Sequence, residues 1–118
     1  MAINKGTITI SVLYPRDDSS TFDMDYYLGT HLPMAEKAWA PHGLIAWNVI
    51  EIPNPPGGKA PYSVHSFVTW QAKGENGLEG VMAGMTSDAG KELAADVPNF
   101  SNRTPEVIMG PVRGSSTV

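Results

Sequence analysis

A carboxylate, a phenol and an imidazole stand at helical spacing within residues 22–39, the segment FDMDYYLGTHLPMAEKAW. Asp23, Tyr27 and His31 are separated by steps of four residues, so a helix would place their side chains along one edge. On a helical wheel, His31 lies within the apolar stripe and Tyr27 at its margin. Because an imidazole exchanges protons near neutral pH, we predict that His31 is a general acid or base. Tyr27 would donate a hydrogen bond or orient the ligand, and Asp23 would set the tautomer of His31.

The same three residue types also have ordinary structural uses. A histidine on an apolar helix face can be a core residue whose ring nitrogens are satisfied. A tyrosine at helical spacing can supply apolar area while its hydroxyl meets water. His65, which falls in a strand pattern, can similarly be a half-exposed strand residue. The residues alone therefore leave the catalytic and structural interpretations open.

Pro33 predicts an irregularity in this helix. Proline lacks an N–H, and its ring would crowd the carbonyl group of Gly29, four residues earlier. The helix should therefore kink or restart just after His31. Such a break would re-aim the imidazole and leave a carbonyl group free beside it.

Composition limits the classes of function. The 118 residues are enough for one domain, which we place at residues 1–118, and 42% of them are hydrophobic. With no apolar run of about 18 residues and no signal-peptide pattern, we expect a soluble cytoplasmic protein and no membrane partner. The net charge of −4 and scattered basic residues argue against nucleic-acid binding. The chain has no cysteine and its three histidines lack metal-ligand spacing, so we expect no metal.

Periodicity predicts the elements that must position these side chains. Strict alternation predicts a strand at 7–14, and enrichment in β-branched and aromatic residues predicts one at 44–52. Further strands are predicted at 62–70 and 105–112. Helical patterns run from a cap at Thr21 or Asp23 to Trp39, and then over residues 76–85 and 86–97. The order β-α-β-β-α-β predicts an α+β, ferredoxin-like fold, in which helices cover one face of a four-stranded antiparallel sheet. A homodimer would cover the other face.

Three segments of the chain together resemble the EthD family, named for a protein associated with ethyl tert-butyl ether degradation. They are the segment at 22–39, the loop and strand at 55–70 (PPGG…PYSVHSFVTW), and the segment at 87–100 (SDAGKELAADVPNF). The family's aromatic pair followed by THxP is matched by YY at 26–27 and THLP at 30–33. Its DxPNF pattern is matched by Asp96, Pro98, Asn99 and Phe100. The resemblance spans residues 7–112 and implies a dimeric α+β barrel, in which two protomers join their sheets.

The resemblance implies a fold and a pocket more firmly than a reaction. Related barrels include monooxygenases without a classical cofactor, haem-degrading enzymes, and polyketide cyclases that use His and Tyr as acid and base. We therefore expect an enzyme that transfers a proton on a small apolar or aromatic metabolite, of oxygenase, cyclase or decarboxylase type. The alternative is a noncatalytic carrier that binds such a metabolite for an oxygenase system.

The expected pocket lies between the first helix and the sheet, with His31 and Tyr27 as its catalytic residues. Further ligand-binding candidates are its polar and aromatic neighbours: Asp23, Tyr26, Trp47, His65, Phe67 and Trp70. We expect no cofactor. Haem is implied only by analogy with the haem-degrading barrels, with His31 as the conceivable ligand.

Overall fold

A computed structural model describes residues 6–74 and 77–118. The four strands are β1 (Thr7–Pro15), β2 (Leu44–Glu51), β3 (Tyr62–Gln71) and β4 (Glu106–Pro111). The helices are α1 (Met24–Tyr26), α2 (Leu32–Trp39), α3 (Glu79–Thr86) and α4 (Asp88–Asp96), and a π-helical turn (Tyr27–His31) joins α1 to α2. Short 3₁₀ turns follow α2 (Ala40–His42) and α4 (Val97–Asn99). Each predicted strand boundary lies within one residue of the observed one.

The four strands form one antiparallel sheet in the order β2-β3-β1-β4. This order, with helices over one face, confirms the predicted α+β ferredoxin-like fold. Alternation along β1 buries Ile8, Ile10 and Tyr14 beneath the helices. In the register of the sheet, Ile8 lies opposite Trp70 and Ile10 opposite Val68. These pairs form the centre of the core.

The predicted break in the first helix takes the form of the π-helical turn. The backbone N–H of Leu32 donates to the carbonyl group of Tyr27, five residues earlier, instead of to the usual fourth residue. Pro33, which cannot donate, then lies in the first turn of α2, where its missing N–H removes no helical hydrogen bond. Widened turns of this kind are frequent at functional sites, because they redirect the side chains that they carry. Here the turn carries both Tyr27 and His31.

The sheet face that the helices leave open carries both apolar and polar side chains. We call it the outer face; Leu13, Ile50, His65, Phe67 and Ile108 lie on it beside Ser11, Asn48 and Glu106. Ile50 is 44% exposed and Ile108 is 62% exposed. Among the described helices, none has both the length and the apolar character that crossing a membrane requires.

Candidate functional site

A cavity of about 470 Å³ lies between the sheet and the helices. Its walls come from all four strands, the π-helical turn, α2 and α4. Most of the lining is apolar, with Val68, Leu93 and two tryptophans, Trp39 and Trp47, among the side chains. Four lining residues carry other polar groups: Tyr14, Tyr27, His31 and Thr104. The described lining includes no Asp, Glu, Lys or Arg.

His31 sits on the wall of this cavity and is only 8% exposed. Its ring is nearly parallel to that of Tyr27, with centroids 5.4 Å apart and an interplanar angle of 13°. Phe100 contacts the imidazole at a centroid distance of 4.5 Å. Nδ1 of His31 lies 2.8 Å from Oδ2 of Asp96. The aromatic neighbours and this hydrogen bond together fix the orientation of the imidazole.

Asp96, the last residue of α4, is the centre of a buried polar network. Its Oδ1 accepts hydrogen bonds from the Tyr26 hydroxyl at 2.7 Å and from Nδ2 of Asn99 at 2.9 Å. Burial by itself raises the pKa of Asp96, but the hydrogen bonds from Asn99, His31 and Tyr26 outweigh it and hold that pKa below its ordinary value. An ionised carboxylate can only accept, so the bond assigns the proton to Nδ1 of His31. The Nε2 atom is then the basic nitrogen.

Asp23 does not take the part that the sequence suggested. Its carboxylate caps α1 by accepting a hydrogen bond from the backbone N–H of Tyr26 at 3.0 Å, and the residue is exposed. An N-cap side chain folds back over the first turn and so leaves the helical edge. The prediction that Asp23 orients His31 is therefore wrong, since Asp96 makes that contact. The available signal was the DVPNF motif, which contains both Asp96 and its partner Asn99.

Three buried hydroxyl groups form a second polar cluster, which we call the hydroxyl chain: Tyr14, Tyr27 and Ser66. The Tyr27 oxygen lies 2.5 Å from Oγ of Ser66. The Tyr14 ring packs edge-on against that of Tyr27, with centroids 5.6 Å apart, and the interaction of the two hydroxyls contributes to the raised pKa of Tyr14. Burial raises the pKa of Tyr27, and it is also the largest cause of the raised pKa of Tyr14. Sequence reasoning placed Tyr14 and Ser66 on strand faces without a role, although a polar residue on a core-facing strand position is itself a signal.

The remaining candidates fall in different places. Trp47 lines the cavity, and its Nε1 donates to Oε1 of Glu36 at 2.6 Å. Tyr26 supports Asp96 from outside the lining. Trp70 is 0% exposed, is absent from the lining, and donates from Nε1 to the carbonyl group of His42 at 2.8 Å. It is thus part of the core between sheet and helices.

His65 and Phe67 lie on the outer face, on the opposite side of the sheet from the cavity. Their ring centroids are 3.9 Å apart. Nε2 of His65 is buried without a hydrogen-bond partner among the described residues, and burial lowers the pKa of this histidine. No single ligand within the cavity can touch these two residues and His31 together. Their assignment as ligand-binding residues stays a prediction.

The cavity does not fit the haem group that the barrel superfamily suggests. Haem carries two propionates, and no Lys or Arg among the described lining residues could pair with them. Two unpaired carboxylates in an apolar site would be costly. Within the described part of the chain, no cluster of three or more His, Asp and Glu side chains could hold a metal ion.

Comparison with known proteins shows the fold. No protein-family model and no curated protein matches the chain. Among solved structures, it resembles an EthD-like protein from Ralstonia eutropha JMP134, with a TM-score of 0.77, 21% identity, and coverage of 92% of this chain and 93% of that one.

Two further structures have the same architecture. SnoaB from Streptomyces nogalater, a cofactor-independent oxygenase, aligns with a TM-score of 0.61 and 10% identity over 93% of this chain and 96% of its own. A dimeric ferredoxin-like protein of unknown function from Thermobifida fusca YX aligns with a TM-score of 0.55 and 12% identity, over 93% of this chain and 95% of its own. The chain therefore has the fold of the EthD-like and dimeric ferredoxin-like proteins, as its motifs implied.

Proposed function

We propose that this protein binds a small apolar or aromatic metabolite in the cavity and transfers a proton on it with His31. The observation that carries the proposal is the hydrogen bond between Nδ1 of His31 and Asp96 at the wall of an apolar cavity. A backbone carbonyl group would be enough to satisfy Nδ1 of a histidine that was only a core residue, whereas here the partner is a buried carboxylate. Burying that carboxylate costs free energy unless it is well bonded.

The arrangement suits general acid–base catalysis. With the proton on Nδ1 held by Asp96, the lone pair of Nε2 can accept a proton from a bound molecule. For a ketone, the proton leaves the carbon next to the carbonyl group, and the C–H electron pair becomes the double bond of an enolate. The imidazolium that forms lies beside an ionised carboxylate, which stabilises it. Returning the proton to carbon or oxygen restores the imidazole and completes the cycle.

The same proton removal can begin several reactions. Enolisation, cyclisation and oxygenation of an electron-rich molecule all involve a carbanion or enolate that a base can generate. In decarboxylation, the loss of CO₂ leaves the carbanion, and the imidazolium form of His31 would donate a proton to it. SnoaB is described as a cofactor-independent oxygenase of this fold, which is compatible with chemistry of this kind in the cavity. The shared step, proton transfer by His31, is the part of the proposal that can be tested without knowing the substrate.

The competing function is that of a carrier, since an apolar cavity of this size can also hold a metabolite without changing it. The probe 2-acetylnaphthalene separates the two. In D₂O, an enzyme should exchange the methyl protons of this ketone for deuterium, which proton NMR follows directly. His31→Gln should slow exchange by about 10²- to 10⁴-fold with little change in affinity, while the control His42→Gln should leave it unchanged. Binding without exchange by the wild-type protein supports the carrier.

A homodimer is part of the proposal, because the outer face exposes large apolar side chains such as Ile50 and Ile108 in one copy and a neighbour of the same fold is dimeric. Ile108→Lys would place a charge in the expected interface and should produce a monomer in sedimentation experiments. The control, Glu92→Lys on the exposed side of α4, should stay dimeric. A wild-type monomer at micromolar concentration would contradict this part of the proposal. A cytoplasmic location stays a prediction.

A further inference from the structure

We propose that the hydroxyl chain of Tyr14, Tyr27 and Ser66 is a hydrogen-bond-donating site for an oxygen atom of the ligand, and that Tyr14 is the donor that reaches it. The inference deepens the proposed function by naming the substrate class, an uncharged ketone or phenol on an apolar or aromatic frame. It rests on the proposed function only in taking the cavity as the ligand site.

The placement of the three hydroxyls supports this assignment. Tyr14 comes from β1, Tyr27 from the π-helical turn, and Ser66 from the middle of β3, so three separate elements bring them together. Tyr14 and Tyr27 are each 2% exposed and both line the cavity, whereas Ser66 is 0% exposed and lies behind them. The chain therefore has an enclosed end at Ser66 and an end that borders the cavity at Tyr14.

A count of the hydroxyl protons shows that the Tyr14 end of the chain can donate a hydrogen bond to a ligand. Three hydroxyls carry three protons; the Tyr27–Ser66 hydrogen bond uses one, and joining all three in a row would use only two. The hydroxyl hydrogens can rotate, so the chain can be oriented in either direction. When an acceptor atom lies beside Tyr14, the favoured direction runs from Ser66 through Tyr27 to Tyr14 and then to the acceptor. Each donated bond polarises the next, which strengthens the final one.

The lack of cationic side chains in the described lining favours a neutral oxygen as the hydrogen-bond acceptor. No Lys or Arg among the described lining residues could pair with a carboxylate or phosphate group. Burial also raises the pKa of both tyrosines, which shows that this region disfavours negative charge. An anionic ligand would lose its hydration without gaining a counter-ion. A ketone or a protonated phenol needs only one donated hydrogen bond.

The hydroxyl chain and the basic histidine are close enough to act on one ligand. The rings of Tyr27 and His31 stack at 5.4 Å, so the donor cluster and the imidazole form adjoining parts of the same wall. A carbonyl oxygen and the neighbouring carbon that carries the acidic proton are two bonds apart. In the proposed pose, the oxygen faces the hydroxyl chain while this neighbouring carbon faces His31.

Two matched probes test the inference. 2-Acetylnaphthalene carries a carbonyl acceptor, and 2-isopropylnaphthalene has nearly the same shape without one. Tyr14→Phe keeps the ring and removes the terminal donor, so it should weaken ketone binding by about 2- to 10-fold and leave hydrocarbon binding unchanged. The infrared carbonyl stretch of the bound ketone should lie at lower frequency in the wild-type protein than in Tyr14→Phe, because a donated hydrogen bond weakens the C=O bond.

Two outcomes would overturn the inference: equal losses of affinity for both probes, or a carbonyl stretch that is the same in wild type and variant. Ser66→Ala is the second variant if Tyr14→Phe fails to fold. It should shift the carbonyl stretch in the same direction by a smaller amount, and no shift would count against the chain. The proposed function fails separately, when His31→Gln exchanges deuterium as fast as wild type while the carbonyl stretch still reports a hydrogen bond.

Discussion

Replacing Asp96 by Asn should change the tautomer of His31 with only a modest loss of stability. Tyr26 and Asn99 both donate to Oδ1, and among the described residues only His31 forms a hydrogen bond with Oδ2. In Asp96→Asn, the amide oxygen can take the Oδ1 position and keep both donors. The NH₂ group then occupies the Oδ2 position and must donate to Nδ1 of His31. The imidazole proton is therefore forced onto Nε2, which can no longer act as a base.

The magnitude follows from which bonds survive. Two hydrogen bonds to a charged acceptor become bonds to a neutral one, and the third is reversed in direction. Bonds to charged groups contribute about 1.5–3 kcal/mol and neutral ones about 0.5–1.5, so the three bonds together lose about 3–4.5 kcal/mol. Because a neutral amide costs less to bury than a carboxylate, we expect a net loss of about 1–3 kcal/mol. For a domain of this size that loss lowers Tm by about 4–12 °C. Asp96→Ala leaves all three donors unpaired and should cost more.

Nitrogen-15 NMR of the histidine ring and deuterium exchange give the readouts. We expect the proton on Nδ1 of His31 in the wild-type protein and on Nε2 in Asp96→Asn. Exchange of 2-acetylnaphthalene should fall by about 10²- to 10⁴-fold in the variant. Glu92→Gln, an exposed change on the same helix, is the control and should alter neither. A wild-type tautomer in a folded Asp96→Asn protein, with exchange preserved, would refute the positioning role of Asp96.

Two further predictions concern stability. A Cβ atom on Gly90 would collide with the carbonyl oxygens of Gly84 and Met85, whereas one on Gly29 would meet nothing within 4 Å. Urea unfolding should therefore show that Gly90→Ala lowers the free energy of unfolding by about 2–3 kcal/mol, and that Gly29→Ala raises it by up to about 1 kcal/mol. Equal effects would contradict this contrast. Burial lowers the pKa of His65 in the folded protein. As the pH falls, the unfolded chain therefore binds a proton at this residue before the folded protein does, and stability should fall below about pH 6.5. His65→Gln should flatten this decline between pH 7.5 and 5.5, and an unchanged slope at the same protein concentration would refute it.

The strands could be predicted closely because their signal is local. Alternation along β1 and β3 fixes which residues face the core, and proline or glycine marks the strand ends. Pro33 likewise predicted an irregularity in the first helical segment, which is the π-helical turn before α2. The fold class followed from the order of these elements.

The partners of the site residues could not be predicted in the same way. His31 and Asp96 are 65 residues apart, and their contact depends on how α4 packs against the first helical segment. Helical spacing favoured Asp23 as the partner of His31, but the Asp23 side chain caps α1 instead of contacting the imidazole. Trp47 and Trp70 both occupy core-facing strand positions, yet only Trp47 borders the cavity, because the helices cover Trp70 completely.

The position of a bound probe tests the central claim most directly. Nuclear Overhauser contacts should be measured between 2-acetylnaphthalene and the assigned ring protons of the protein. We expect contacts to His31, Tyr14 and Trp47, which would place the ketone inside the cavity beside the proposed base and donor. Contacts to Phe67 and His65 instead would place the ligand on the outer face of the sheet, and would contradict the assignment of the cavity and of His31 as its base.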